Sequence, residues 1–93
     1  MRYANTLTLM KNSDIKVVRK QLPKDRGYWF PKREREAYIE IDSRLKGEEE
    51  LEIFIHEFTH HIQPYLAEET VREVAKDMSE FLYKHGYKKT KSK

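Results

Sequence analysis

The sequence contains no cysteine among its 93 residues, which excludes a disulfide framework, a cysteine-ligated zinc site and a cysteine nucleophile. Its first ten residues lack the apolar centre of a secretory signal, and no stretch approaches the roughly 20 apolar residues of a membrane span. We therefore expect a cytoplasmic protein without a membrane partner, in which any metal ion is held by histidine and carboxylate groups.

Length and charge indicate one small basic domain. A chain of 11.3 kDa can bury one modest core, and it shows no internal repeat. The formal net charge is +3, and four of the last six residues are lysine. We predict a single domain over residues 1–87 and a basic disordered tail over residues 88–93. A solubilising role for this charge is favoured over a nucleic-acid partner, and the sequence gives no indication of oligomeric state.

Short strands are predicted in the N-terminal half. β-branched residues cluster between Ile15 and Val18, and a run of three aromatic residues begins at Tyr28. Residues 37–42 alternate in polarity, which is typical of a half-buried strand. With the polar residues 32–36 as a hairpin connection, these segments predict a small antiparallel sheet of about three strands. Leu7 and Leu9 suggest one further strand.

Helical spacing replaces this alternation in the C-terminal half. Apolar residues recur at intervals of three and four and predict a first helix that ends before Pro64; they are Leu51, Phe54, Ile55, Phe58 and Ile62. A second helix has its own apolar stripe and a C-terminal cap at Gly86. The short turn between them predicts an antiparallel pair. The fold class is therefore α+β, with the sheet packed on two helices.

The first helix carries the motif H-E-x-x-H at His56, Glu57 and His60. Residues four apart lie on one face of a helix, so both imidazoles can reach one zinc ion. Glu57 leans toward the same cleft and is the candidate catalytic residue, because a carboxylate there can polarise metal-bound water. The alternative is a pair of solvated histidines on a charged helix.

A third metal ligand must come from the second helix, where Glu68, Glu69, Glu73 and Asp77 are the candidates. The helix turns its apolar stripe toward the first helix, and Glu68 lies on the flank of that stripe. We therefore predict Glu68 as the ligand. Glu69 is the main alternative because helix ends are uncertain by a residue or two. The other alternative is that Glu68 binds no metal and only interacts favourably with the dipole at the start of the helix.

Four other residues near the motif invite a role. Tyr65, in the turn, is a candidate donor to a developing oxyanion, although an aromatic staple for the turn is favoured. Asp77 is a candidate for orienting a ligand histidine, although a plain surface acid is favoured. His61 projects about 100° from His60 and is expected at the surface or behind the ligands. Trp29 is expected in the core.

The alternating strand, the HEFTH helix and the E-x-x-V-x-x-V-A pattern from Glu68 to Ala75 together resemble the gluzincin branch of the zincin metallopeptidases. The chain is most similar to minimal gluzincins and to compact phage-type or ImmA/IrrE-like peptidase domains. This resemblance implies a minimal zincin-like fold, zinc ligands at His56, His60 and Glu68, and Glu57 as general base and acid. It also implies that residues 37–42 form an edge strand along which a peptide or protein substrate lies.

The expected function is that of a zinc-dependent metallopeptidase, latent or of narrow specificity, which hydrolyses peptide bonds with zinc-bound water activated by Glu57. A non-catalytic zinc-binding regulatory module that retains the motif is the alternative. A small basic nucleic-acid-binding protein, in which the motif is incidental, ranks third.

Overall fold

The computed structural model describes residues 11–32 and 36–89. A 3-10 turn at Asn12–Asp14 precedes three strands, β1 (Lys16–Lys20), β2 (Gly27–Phe30) and β3 (Tyr38–Asp42), and two helices, α1 (Gly47–Ile62) and α2 (Glu68–Lys84). The predicted fold class, α+β with a three-stranded sheet packed on a helix pair, is confirmed. The further strand at Leu7 and Leu9, and residues 90–93 of the predicted tail, lie outside the described residues.

The strand order of the sheet is β1-β3-β2. β2 and β3 pair antiparallel, as the hairpin prediction requires, but β1 and β3 pair parallel, so the sheet is mixed rather than antiparallel. The difference arises because the chain leaves β1, crosses to the far edge to form β2, and then returns between the two. β3 takes the central place because its alternate residues Ile39 and Ile41 supply the most buried apolar surface of the sheet.

The central position of β3 overturns the prediction that residues 37–42 form an edge strand. Tyr38 to Asp42 pair with β1, and Tyr38 to Ile41 also pair with β2. Both backbone edges of β3 are therefore occupied, and no peptide can add a strand to it. In the described part of the chain the edge strands are β1 and β2.

The core lies between β3 and α1. Ile39 and Ile41 are 1% and 0% exposed and pack with Ile53 of α1, as the alternation of the strand predicts. The buried face of α1 differs from the predicted stripe, because Ile53 and Glu57 are buried whereas Ile62 is 40% exposed. α1 is covered by the sheet on one side and by α2 on another, so two neighbours rather than hydrophobicity alone decide which residues face inward.

The two helices run antiparallel. The start of α1 at Gly47 lies beside Tyr83 near the end of α2, and His60 near the end of α1 hydrogen-bonds Glu68 at the start of α2. α2 buries Val71, Ala75 and Ser79, whose small or short side chains allow close approach of the helices. Beyond α2, Gly86 adopts φ 90°, the left-handed conformation expected of a helix-terminating glycine. This hairpin sets the last turn of α1 against the first turn of α2.

Neither helix of the described chain combines the length and apolar character that a bilayer crossing demands.

Candidate metal centre

Three potential ligands meet where the two helices join. Nε2 of His56 lies 3.0 Å from Oε2 of Glu68, and Nε2 of His60 lies 2.7 Å from Oε1 of the same carboxylate. The histidines stand one turn apart on α1, and Glu68 opens α2 after the five-residue connection that reverses the chain. The two oxygens of the Glu68 carboxylate therefore contact the Nε2 atoms of the two histidines, one oxygen to each ring.

The cluster has the size and donor chemistry of a metal site. The candidate ligand atoms of the three residues all lie within 4.8 Å of one another. Donors bound to a tetrahedral zinc ion at about 2.0–2.2 Å are separated from each other by about 3.3 Å. The present distances of 2.7 and 3.0 Å require the carboxylate to withdraw by only a few tenths of an ångström. Two imidazoles and one carboxylate thus fit a metal ion.

Glu68 rather than Glu69 belongs to this cluster. Both acids lie in the first turn of α2 and are exposed, so the helix dipole acts on them alike. They differ by the turn of about 100° between consecutive helical residues, which directs Glu68 toward α1. Arg72, one turn later, donates from Nη2 to Oε2 of Glu68 at 3.2 Å. Oε2 of Glu68 therefore contacts both Arg72 and His56.

Burial keeps His56 in the form that binds metal. Its side chain is 14% exposed, and desolvation lowers its pKa below the ordinary value, the largest of several effects. The carboxylate of Glu68 opposes this effect, while the neighbouring His60 and Arg72 add to it. Because only the neutral imidazole has a free lone pair for a metal, the depressed pKa favours ligand competence near neutral pH.

Glu57 is buried beside the cluster. It is 7% exposed, and burial, followed by the nearby charges of Glu68 and Asp25, raises its pKa to about 7. Within the described residues it makes no ion pair. A carboxyl group with a pKa near 7 can both accept and release a proton at neutral pH. The residue that the motif marks as the catalytic candidate therefore has the acidity that such a role requires.

A cleft of about 480 Å³ opens over the cluster and is walled by β2 on one side and the helices on the other. Its wall includes Gly27 and Trp29 of β2, with His56, His60 and Glu57 of α1 opposite. β2 approaches α1 closely at Gly27, where an added Cβ would stand 2.7 Å from Cγ2 of Ile53 and 3.2 Å from Cγ of Glu57. Glycine is therefore needed at the point where the edge strand passes the buried acid.

Two of the sequence-predicted auxiliary residues lie away from this cleft. Tyr65 is 99% exposed in the interhelical turn, and its ring does not line the cleft. Asp77 follows Glu68 by nine residues on α2, a rise of about 13 Å along the helix, and it is exposed. The structure thus brings together His56, His60, Glu68 and Glu57, and it places Tyr65 and Asp77 elsewhere.

Sequence reasoning missed two residues of the cleft. Trp29 packs against the core cluster, as expected, but it also lines the cleft, stacks on His60 and donates from Nε1 to Nδ1 of His61 at 3.2 Å. Arg72 was not considered, although its position four residues after Glu68 places it on the same helix face. The contact of Arg72 with Glu68 could have been predicted from their spacing of four residues. The place of Trp29 beside the cleft could not, because it depends on the order of the strands in the sheet.

No family model matches the chain, and neither the curated proteins nor the solved structures give a significant match.

Proposed function

We propose that the protein is a zinc-dependent metallopeptidase, latent or of narrow specificity. The observation that carries the proposal is the convergence of His56, His60 and Glu68 beside a buried glutamate whose pKa is raised to about 7. Metal-binding capacity alone is compatible with many roles. A proton-transfer group in the same cleft, with acidity suited to neutral pH, is the feature that favours hydrolysis.

Zinc is the metal we propose, because two imidazoles and one carboxylate are a ligand set typical of catalytic zinc. When bound, zinc supplies a Lewis acid that polarises a carbonyl and lowers the pKa of water. His56 and His60 would hold the ion through Nε2, and Glu68 would complete the set. Arg72 would keep the Glu68 carboxylate in place through the contact at Oε2.

Glu57 would move the proton in the reaction. In its ionised form it accepts a proton from the attacking water, and it then delivers that proton to the amide nitrogen of the departing fragment. In the metal-free protein the pKa of Glu57 is about 7, so its charged and its neutral form are both accessible near neutral pH. Its burial excludes bulk water from the carboxylate, which strengthens its interaction with charge that develops in the cleft.

The substrate would lie along β2 rather than along β3. β2 has one backbone edge paired with β3, and its residues Gly27, Tyr28 and Trp29 line the cleft over the metal ligands. An extended peptide that adds to an edge strand gains main-chain hydrogen bonds irrespective of its sequence. Such pairing at β2 would carry a peptide carbonyl past His56, His60 and Glu57.

The proposal is tested by measuring zinc content and cleavage of a mixed peptide library with the same purified protein. We expect about one zinc ion per chain, cleavage that stops on removal of zinc by a chelator, and recovery on addition of zinc. Zinc binding without cleavage of any library member would overturn the peptidase function and leave the non-catalytic zinc-binding module. Failure to bind zinc would overturn both.

The third ligand is tested by a matched pair of variants, Glu68→Gln and Glu69→Gln. Both remove one negative charge from the first turn of α2, so their effects on the helix dipole are alike. We expect Glu68→Gln to weaken zinc binding by at least about tenfold, whereas Glu69→Gln should leave it unchanged. The reverse order of affinities would assign the ligand to Glu69.

A further inference from the structure

We propose that Trp29 is a positioning residue for the metal centre, which fixes the ring of His60 and couples the edge strand β2 to the metal. The inference rests on the proposed metal site and extends it to a residue outside the ligand set. It is carried by two independent contacts of one side chain, an aromatic stack and a hydrogen bond.

The first contact is a stack on a metal-ligand candidate. The indole of Trp29 and the imidazole of His60 are nearly parallel, with an interplanar angle of 12° and ring centroids 6.3 Å apart. An offset parallel arrangement at this separation is a favourable aromatic geometry. It restricts rotation of the His60 ring about its side-chain bonds, and this rotation is the motion that would turn Nε2 away from the cluster.

The second contact ties the indole to the same helix. Nε1 of Trp29 donates to Nδ1 of His61 at 3.2 Å, and the two rings meet edge to face with centroids 6.2 Å apart. Nδ1 of His61 must therefore be the unprotonated nitrogen. Consecutive residues of α1 thus contact the indole on its face and at its edge, and the indole also packs against the core cluster of Ile39, Ile41 and Ile53.

His60 needs such a support because its known hydrogen bond lies on the metal side. Nε2 of His60 bonds Glu68 at 2.7 Å, and this nitrogen is the one that a metal would occupy. Metal-ligating histidines are ordinarily oriented from the opposite side of the ring, and loss of such support costs about 10–100-fold in metal affinity. The face of Trp29 supplies an orienting contact that does not compete for Nε2.

The coupling also runs from the metal to the strand. Within the sheet β2 pairs with β3 alone, and it contacts α1 through the close approach at Gly27 and through Trp29. Metal binding at His60 should therefore stiffen the stack and with it the backbone of β2. Because β2 is the strand proposed to pair with the substrate, the metal would order the surface on which the peptide is received.

The experiment compares zinc affinity, by competition with a chromophoric chelator, in wild type and in four variants. Trp29→Leu removes both contacts, Trp29→Phe keeps an aromatic face without the N–H donor, and His61→Leu removes the acceptor. The matched control is Phe30→Leu, because Phe30 is the next residue of β2 but stacks on Tyr38, with centroids 4.6 Å apart, and not on a histidine. The melting temperature of each metal-free variant is measured alongside.

We expect Trp29→Leu to weaken zinc binding about 10–100-fold, because it removes an aromatic stack and a hydrogen bond together. Trp29→Phe and His61→Leu should each weaken it by about 2–10-fold, the effect of one net hydrogen bond. Phe30→Leu should lower the melting temperature and leave zinc affinity unchanged. Wild-type zinc affinity in Trp29→Leu, or an equal loss in Phe30→Leu, would overturn the proposal. If Trp29→Leu does not fold, Trp29→Phe with wild-type affinity overturns it.

Because the chain has a single tryptophan, its fluorescence emission reports directly on the coupling between Trp29 and the metal site. Because no other indole contributes, the emission of Trp29 should change on zinc addition in wild type, and it should be quenched by Co²⁺ bound at the site. Zinc affinity without any change in the emission of Trp29 contradicts the coupling but not the metal site. Absence of zinc affinity in wild type contradicts the metal site itself, so the two failures are distinguishable.

Discussion

Glu57 and Asp42 are equally buried, at 7% exposure each, yet their acidities move in opposite directions. Burial raises the pKa of Glu57 to about 7, whereas hydrogen bonds from Arg44 lower the pKa of Asp42 to about 2. Two carboxyl groups in one small protein thus differ by several pKa units. Burial alone does not decide the charge of an acid.

The difference is made by the partners. The side chain of Arg44 donates two hydrogen bonds to Asp42, from Nε to Oδ1 at 2.9 Å and from Nη2 to Oδ2 at 2.7 Å. The backbone amide of Arg44 donates a third hydrogen bond, to Oδ1 of Asp42. The same guanidinium donates to the carbonyl oxygen of Leu22 at 2.8 Å, so the pair joins the end of β3 to the loop after β1. Glu57 instead faces the negative charges of Glu68 and Asp25. The Asp42–Arg44 pair is a structural clasp, whereas burial and negative neighbours bring the pKa of Glu57 near neutral.

The largest expected effect is on catalysis. Glu57→Gln should lower the rate of zinc-dependent peptide cleavage by about 10²–10⁴-fold, because it removes the proton acceptor and leaves the ligands in place. Zinc content, measured by elemental analysis, should match that of wild type. Asp42→Asn is the matched control, since it neutralises the equally buried acid of the clasp and should leave cleavage intact at temperatures where it is folded. Equal losses in the two variants would remove the functional distinction between them.

The second effect concerns stability above pH 5 in the metal-free protein. A carboxyl whose folded pKa of about 7 exceeds its ordinary 4.5 binds protons more tightly when folded. Wild type should therefore lose stability as the pH rises from about 4.5 through 7, and this loss should be absent in Glu57→Gln. After allowance for solvent screening, the free energy of unfolding of wild type should fall by about 1–3 kcal/mol relative to that of the variant between pH 4 and pH 8. Parallel pH profiles from urea unfolding would contradict a raised pKa.

The third effect concerns the close packing that desolvates Glu57. Gly27→Ala would place a Cβ 2.7 Å from Cγ2 of Ile53, which forces β2 and α1 apart. We expect a loss of about 1–3 kcal/mol in the free energy of unfolding and a lower pKa for Glu57 as water enters. Gly86 is the control for backbone freedom, because an added Cβ there meets nothing within 4 Å although its φ is 90°. Gly86→Ala should lower stability without altering the pH profile that Glu57 produces.

The smallest effect is expected at the clasp, where the side chain of Arg44 is 60% exposed and its charge is screened by solvent. Because the pKa of Asp42 is depressed from 3.8 to about 2, its stabilising contribution is complete above about pH 4 and is lost as the pH falls through 2. Unfolding of wild type and Asp42→Asn should therefore differ at pH 5 and converge near pH 2. Added salt should narrow the difference at pH 5. A difference that persists below pH 2 would point to packing rather than charge.

Much of the fold could be predicted from the sequence because its signals are local. The alternation in residues 37–42, the spacing of apolar residues before Pro64 and the cap at Gly86 each depend on a few neighbouring residues, and β3, α1 and α2 form where these patterns predict. The same holds for the pairing of β2 with β3, which a short connection favours. The parallel pairing of β1 could not be predicted, since it depends on which strand occupies the centre of the sheet.

The candidate site likewise has features that local sequence signals predict and features that they do not. His56 and His60 lie on one face of a helix by virtue of spacing alone, and the turn after α1 brings Glu68 back to them. Glu68 was predicted from its place on the flank of the apolar stripe of α2, and Glu69 stayed open because sequence locates the start of a helix only to within a residue or two. Tyr65 could not be placed, because a side chain in a turn points wherever the surrounding packing allows, and here it points into solvent.

The sequence by itself determined the types of the elements and the ligand spacing, because backbone geometry fixes what residues one, three or four positions apart can do. Only the tertiary structure decided that β2 flanks the candidate metal cluster, that Trp29 stacks on His60 and that Glu57 is desolvated. Each of these features depends on contacts between residues at least 20 positions apart or on solvent exclusion by several elements at once, whereas the pairing of Asp42 with Arg44 spans only two residues. The chemistry expected of Glu57 therefore requires its motif and also the strand that covers it.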